Sequence, residues 1–282
     1  MKKHLLILII LASCANQLSA QTTTPAQTSP TPVAPLPRWT VSVSAGGAFP
    51  AGKFGSQKSY DPSSSFAKIG PLVTVGLDYR LTPHYGLSLI ISGQENATDN
   101  QAILKQLEGF RPDLVYAINI GKWKMGRALA GGWVEEALDK KEKWSLRIRL
   151  AAGVLTTKTP KSVINTAQNV SNIISGYLFT GTAFTSTSFT YPKSLWAFAW
   201  QADAGLKYSL TRRWSFHLDA GYAASSVSIY TVYHPSFEAA GSTGGTFTSG
   251  TGTITGISSS PSQTFKLPVN TINLSAGAGF SF

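Results

Sequence analysis

The sequence is short of cysteine, of charge and of long apolar runs, and each shortage removes a class of protein. Its one cysteine is Cys14, inside the N-terminal leader, so cleavage after Ala20 leaves a mature chain with no disulfide and no thiol chemistry. Only 13% of the 282 residues are charged while 43% are hydrophobic, which fits neither a disordered chain nor a highly charged soluble surface. Apart from Leu5 to Ala12 there is no long apolar run, and that one is too short to be a transmembrane anchor. Four histidines, with His4, His84 and His234 in the leader, a turn and a loop, give no metal-ligand spacing. No phosphate loop, nucleotide fingerprint or paired-carboxylate motif stands out, so no cofactor is expected. Acidic residues are scarce, 13 against 24 Lys and Arg. The resulting charge of +11 is spread through turns, loops and strands with no clustered basic helix, which argues against nucleic acid and for an acidic lipid-headgroup surface.

The leader MKKHLLILIILASCANQLSAQ has a basic start, an apolar core and a small-residue site at Leu18-Ser19-Ala20, the pattern of a secretory signal over 1–20. Leu11-Ala12-Ser13-Cys14 resembles a lipobox, and lipidation at Cys14 is the competing processing site. Residues 21–38, rich in Thr, Pro, Gln and Ala, read as a flexible lead-in to a single domain over 39–282.

What the chain does have is alternation. In LWAFAWQADAGLKYS, Trp196, Phe198, Trp200, Ala202, Ala204, Leu206 and Tyr208 share one face, while Gln201, Asp203, Gly205 and Lys207 share the other. After a turn at Ser209 to Arg213 the pattern returns, with Trp214, Phe216, Leu218, Ala220 and Tyr222 against Ser215, His217, Asp219 and Gly221. A strand of ten or more residues with a large apolar face and aromatic tips is what crosses a bilayer in a barrel. The same pattern runs through Trp39 to Phe49, Leu72 to Arg80, Tyr85 to Ser92, Lys143 to Val154 and Ile272 to Phe282. A weaker fourth strand is read at Leu114 to Trp123, whose phase is uncertain beyond Gly121 because strict alternation turns Trp123 inward.

The links alternate too. Pro50 to Gly70, Gly93 to Asp113, Leu155 to Ser194 and Ser225 to Lys266 are long, and Leu81 to His84 and Ser209 to Arg213 are short. With a periplasmic N-terminus the long links lie outside the cell. Met125 to Glu142 breaks this rule, being long on the turn side, and VEEALDKKEK within it reads as a short helix. Trp39, Tyr79, Tyr85, Trp144, Tyr208 and Trp214 fall at strand ends on the turn side, as an interfacial girdle. Tyr177 to Tyr191 and Gly244 to Ile257, Thr-rich with aromatics and β-branched residues, are expected to extend strands as hairpins above the membrane.

The leader, the eight alternating segments, the loop lengths and the terminal GAGFSF together resemble the OmpA/OmpX-like outer-membrane β-barrel proteins of the eight-stranded type. The resemblance implies an all-β, antiparallel up-and-down transmembrane barrel in the bacterial outer membrane, with Phe280 and Phe282 as the signal read by barrel-assembly machinery and outer-membrane lipids as the surroundings. It fixes place better than activity, since such barrels include adhesins, structural proteins and a few enzymes. An eight-stranded interior is filled by side chains. Asp78, Arg80, Arg147, Arg149, Asp203, Lys207, His217 and Asp219 point inward and are expected to form an ion-pair network that plugs the lumen, with Arg80, Arg147, Lys207 and His217 toward the periplasmic half. Ser215, His217 and Asp219 superficially make a catalytic set, but residues two apart on one strand are not expected to meet in triad geometry. The expectation is a structural or surface-binding, non-enzymatic barrel with an unidentified extracellular ligand; a narrow channel and a lipid A-modifying enzyme are the alternatives.

Overall fold

A computed structural model describes residues 37–58, 64–174, 177–190, 195–230, 232–243, 246–252 and 264–282. The signal segment, Cys14 and nearly all of the 21–38 lead-in lie outside these residues.

Eight strands close into an antiparallel barrel, each paired with the next stave in the chain: β1 (Trp39–Ala51), β2 (Gly70–Arg80), β3 (Tyr85–Ala97), β5 (Lys122–Ala137), β6 (Trp144–Lys158), β9 (Leu195–Ser209), β10 (Trp214–Tyr230) and β13 (Thr264–Ser281). The first and last staves meet in register, Val41 opposite Phe280 and Phe49 opposite Ile272. Backbone bonds between Trp39 and Phe282, 3.1 and 2.9 Å, finish the seam. Closure leaves no unpaired edge, which a strand in hydrocarbon must avoid.

Two of the tight turns use one local device. In Leu81-Thr82-Pro83-His84-Tyr85 and Leu210-Thr211-Arg212-Arg213-Trp214 the threonine hydroxyl accepts backbone N–H groups two and three residues on, at 3.0–3.3 Å. The aromatic that ends each turn opens the next strand on its outward face. The third turn runs through Asp139, whose carboxylate accepts from Trp144 N at 2.7 Å.

This third turn corrects the sequence reading. The fourth stave is Lys122–Ala137, not Leu114 to Trp123, and no helix forms over VEEALDKKEK. Val115–Ile120 (β4) is a strand, but it belongs to a separate sheet. The long turn-side link therefore disappears, and all three turn-side links are short. The misreading has a physical cause. On β5 the inward residues Trp123, Met125, Leu129 and Trp133 are large, and the outward ones are lysine, glycine and alanine until Val134. Its hydrophobic face points into the barrel, opposite to the girdle halves of the other staves.

The long links build a second, five-stranded sheet in the order β12 (Thr246–Gly252), β11 (Val232–Thr243), β8 (Tyr177–Thr190), β7 (Ser162–Ile174), β4. Tyr177 to Tyr191 and, within its described part, Gly244 to Ile257, expected as hairpins that extend the barrel strands, instead supply β8 and β12 of this separate sheet, hairpin-paired with β7 and β11. Pairing of β8 with β11 joins two different links, Phe184 opposite Glu238 and Ala183 opposite Ala239. An α-helix, α1 (Asn100–Phe110), is capped by Asp99, whose carboxylate accepts from Ala102 N at 3.2 Å. Among the described residues no helix is long and apolar enough to cross a membrane.

Candidate functional site

Alternation along each stave sends one side chain into the lumen and the next to the outer wall. At the turn end, the wall is apolar and the lumen is charged. Leu87, Ile148 and Leu218 are more than half exposed on the wall. Trp39 packs on Tyr79 at 4.6 Å, Trp144 on Tyr208 at 4.7 Å and Trp214 on Phe280 at 5.1 Å, so five girdle residues and the terminal strand form a ring, with Tyr85 exposed at the same end. Trp200 and Tyr222, 5.6 Å apart, with exposed Trp196, mark the opposite boundary.

Inside that belt, Arg147 on β6 donates to Asp78 on β2 at 2.7 Å, bridging the lumen past two intervening staves. Asp78 also accepts from its cross-strand partner Ser88 at 2.6 Å. Arg149 meets its register partner Asp203 at 3.1 Å, and Gln201 donates to both oxygens of the same carboxylate. Lys207 pairs at 2.8 Å with Glu135, which also accepts from Ser145 and lies 4.0 Å from Arg80. The Arg80 guanidinium sits over the Trp133 ring, 5.8 Å from its centre. His217 Nε2 lies 3.5 Å from Asp219 Oδ2, its neighbour two residues on along the same strand. All eight inward residues read from the sequence line this layer, with Arg80, Arg147, Lys207 and His217 around one small cavity at its turn end.

Glycines make room for the carboxylates. Gly221 is opposite Asp203 and Gly205 opposite Asp219, and a Cβ at either glycine would collide with the facing carboxylate. The sequence reading missed Glu135 in this layer and Arg127 above it, level with Leu155. Glu135 was assigned to a helix, yet it brings the carboxylates of the pairing network to four, Asp78, Glu135, Asp203 and Asp219, against Arg80, Arg147, Arg149 and Lys207. Arg127, 3% exposed, spans to neutral groups only, donating to Gln94 at 2.6 Å and Thr271 at 3.2 Å. Phase alone would have found both, had Lys122 to Ala137 been read as a strand.

Toward the long links the polarity inverts. Phe54, Trp123, Met125, Leu155, Val227, Ile229, Leu267 and Val269 fill the interior as a buried apolar cluster. On the wall at the same level stand Lys122, Lys124, Lys158, Ser226, Ser228 and Lys266. Phe54 descends from a 3₁₀ turn, Gly52–Gly55, and meets Trp123 edge to face at 5.7 Å. The lumen is thus filled twice, by salt bridges below and by a hydrophobic plug above. The cavity in the lower layer is about 10 Å³, room for about one water. A second cavity, about 150 Å³, lies above the plug beside Phe66, Ile103 and Pro160. Outside the barrel, the Arg111 guanidinium chelates Asp113 at 2.7–2.8 Å and holds its carboxyl below the usual range, while Gln168 on β7 donates to the same carboxylate. No group of three or more metal-ligating side chains occurs among the described residues.

A surface apolar over its lower wall, closed on itself and filled with paired charge, is built for hydrocarbon outside and not for water. No protein-family model and no curated protein sequence matches the chain. Among solved structures it is similar to the outer membrane protein OprG from Pseudomonas aeruginosa, at 12% identity over 88% of this chain and 96% of that one, TM-score 0.43. It is also similar to Ail, the attachment invasion locus protein of Yersinia pestis, at 10% identity, 88% and 99% coverage and TM-score 0.36. AlkL, an outer membrane protein solved in lipid bilayers, gives 13% identity, 93% and 96% coverage and TM-score 0.38. On its own geometry, the chain is an eight-stranded transmembrane β-barrel of the outer-membrane kind.

Proposed function

We propose that this protein is a sealed outer-membrane barrel that acts at the cell surface, as a binding or structural element carried by its long links, and neither conducts solutes nor catalyses a reaction. The observation that carries the reading is the double occlusion of the lumen: four buried or half-buried cations paired with carboxylates, and above them the Phe54–Trp123 plug. A solute path would have to break both. With transport set aside, the ordered part left to do work is the five-stranded sheet of the long links, held together by β8–β11 pairing. His217 supports the non-catalytic reading, since it is buried in the charged layer beside Asp219. On this reading its partners are outer-membrane lipids along the belt, barrel-assembly machinery through Phe280 and Phe282, and a ligand met by the loop sheet.

The test is electrical. Purified protein in planar bilayers is expected to be silent, and stable large single-channel conductance overturns the sealed reading in favour of a porin. Intact cells displaying the chain are then compared with cells displaying a variant lacking residues 177–190, for attachment to immobilised glycans and matrix proteins. Greater attachment by the full chain is expected; equal attachment removes the binding role and leaves the structural one.

A further inference from the structure

On the outer wall, where the polarity inverts, two lysines stand directly opposite each other on neighbouring strands, Lys124 on β5 and Lys158 on β6. Like charges in facing positions are unfavourable unless something of opposite sign lies between them. Glu95 on β3 meets Lys122 at 2.7 Å and reaches Lys124 only at 3.8 Å. Lys158 has no carboxylate partner among the described residues. Three cations and one carboxylate leave a local excess of two positive charges.

Directly beside them the wall is bare. Gly93 and Gly126 face each other in register, and a Cβ at Gly93 would meet nothing within 4 Å. The space forms an open groove of about 510 Å³ floored by these glycines and bordered by Val73 and Thr156, with Lys124 and Lys158 among its walls. Its depth is fixed by the girdle. Glu95 is ten residues along β3 from Tyr85. At about 3.3 Å per residue and a tilt of roughly 40°, that is about 25 Å, the height of a barrel's apolar band. The lysines therefore sit at the outer headgroup level and the groove opens at the adjoining edge of the hydrocarbon.

We propose that this groove is a binding site for a phosphate-bearing, multiply acylated lipid of the outer leaflet, its phosphate bridging Lys124 and Lys158 and one acyl chain lying over Gly93 and Gly126. The site rests on the bilayer placement and is independent of whether the lumen conducts. One ligand satisfies both peculiarities: the anion relieves the facing lysines, and the chain covers the wall that Gly93 leaves bare beside Thr156.

The experiment uses the full mature barrel in zwitterionic micelles, with native mass spectrometry reading retained lipid A that carries or lacks its phosphates. Wild type is expected to retain the phosphorylated form at least tenfold better. Lys124→Gln with Lys158→Gln removes that preference, while Lys140→Gln with Lys141→Gln, the same charge change on the opposite turn, keeps it. Gly93→Leu, which fills the groove and leaves the lysines, weakens retention of both forms. Equal retention of the two lipids by wild type overturns the proposal even if the lysine variant does not fold. So does complete displacement of the lipid by millimolar inorganic phosphate, which marks a simple anion site.

Discussion

Arg147, in the charged layer, and Arg127, level with Leu155 of the plug, both line the lumen and are solvated by opposite means. Arg147 is neutralised by Asp78, itself 3% exposed, so truncating the arginine strands a buried anion. Arg147→Ala is expected to cost on the order of 3–5 kcal/mol in urea unfolding of the vesicle-inserted barrel. Asp78→Ala in the same chain should return part of that loss. Arg127 is held by Gln94 and Thr271, both neutral, so Arg127→Met leaves only two uncharged groups seeking partners. Its expected cost is about 1–3 kcal/mol and smaller than that of Arg147→Ala. A larger loss for Arg127→Met would show that the arginine balances a carboxylate at longer range, and that pairing by contact is the wrong description. The same scale shows what sequence could reveal. Asp203 and Asp219 were legible as lumen residues because Trp200, Ala202, Leu206 and Leu218 around them are apolar on the lipid side. Which carboxylate meets which cation was not, because the Arg147–Asp78 contact crosses the lumen and depends on barrel width rather than on spacing along a strand.

Staves with a large apolar outer face were readable, and those whose outer face is lysine, glycine and alanine were not. β1, β2, β3, β6, β9 and β10 show their apolar face outward over their girdle halves. β5 hides Trp123, Met125 and Leu129 and shows Lys122 and Lys124, so its period survives while its polarity reverses. The upper part of β13 does likewise, with Leu267 and Val269 buried beside exposed Lys266, which is why a strand that begins at Thr264 reads as starting near Ile272. Helix α1 left a usable signal in Asp99 followed by Ile103, Leu104 and Leu107, a cap before an apolar stripe. In the loop sheet the β-branched and aromatic content marked β8 and β12, but the strand order left no signal, because β4 pairs with β7 and β8 with β11 across long intervals of chain. That last pairing is testable by chemistry the mature chain otherwise lacks. With cleavage after Ala20, Ala183→Cys and Ala239→Cys supply the only two thiols, at register partners on β8 and β11. Oxidation on intact cells is expected to give an intramolecular disulfide, seen as a reducible gel-mobility shift. Its absence, with both thiols open to maleimide, would separate the two links.

For the molecule as a whole, the three turns at 81–84, 138–143 and 210–213 share one end and the links carrying β7, β8, β11 and β12 share the other. Epitopes inserted near Ser171 or Gly250 should be labelled on intact cells, and one near Thr211 only after permeabilisation; the reverse would invert the topology. The change of polarity partway up the wall has a further consequence, for position. Sliding the barrel inward by one residue pair would draw Lys122, Lys124 and Lys158 into hydrocarbon and push Trp39, Trp144 and Trp214 out of their interface. Sliding it outward would bare Leu87, Ile148 and Leu218 to water. Both displacements meet a restoring force, so the protein has a waterline, and a bilayer of another thickness must bend to meet it.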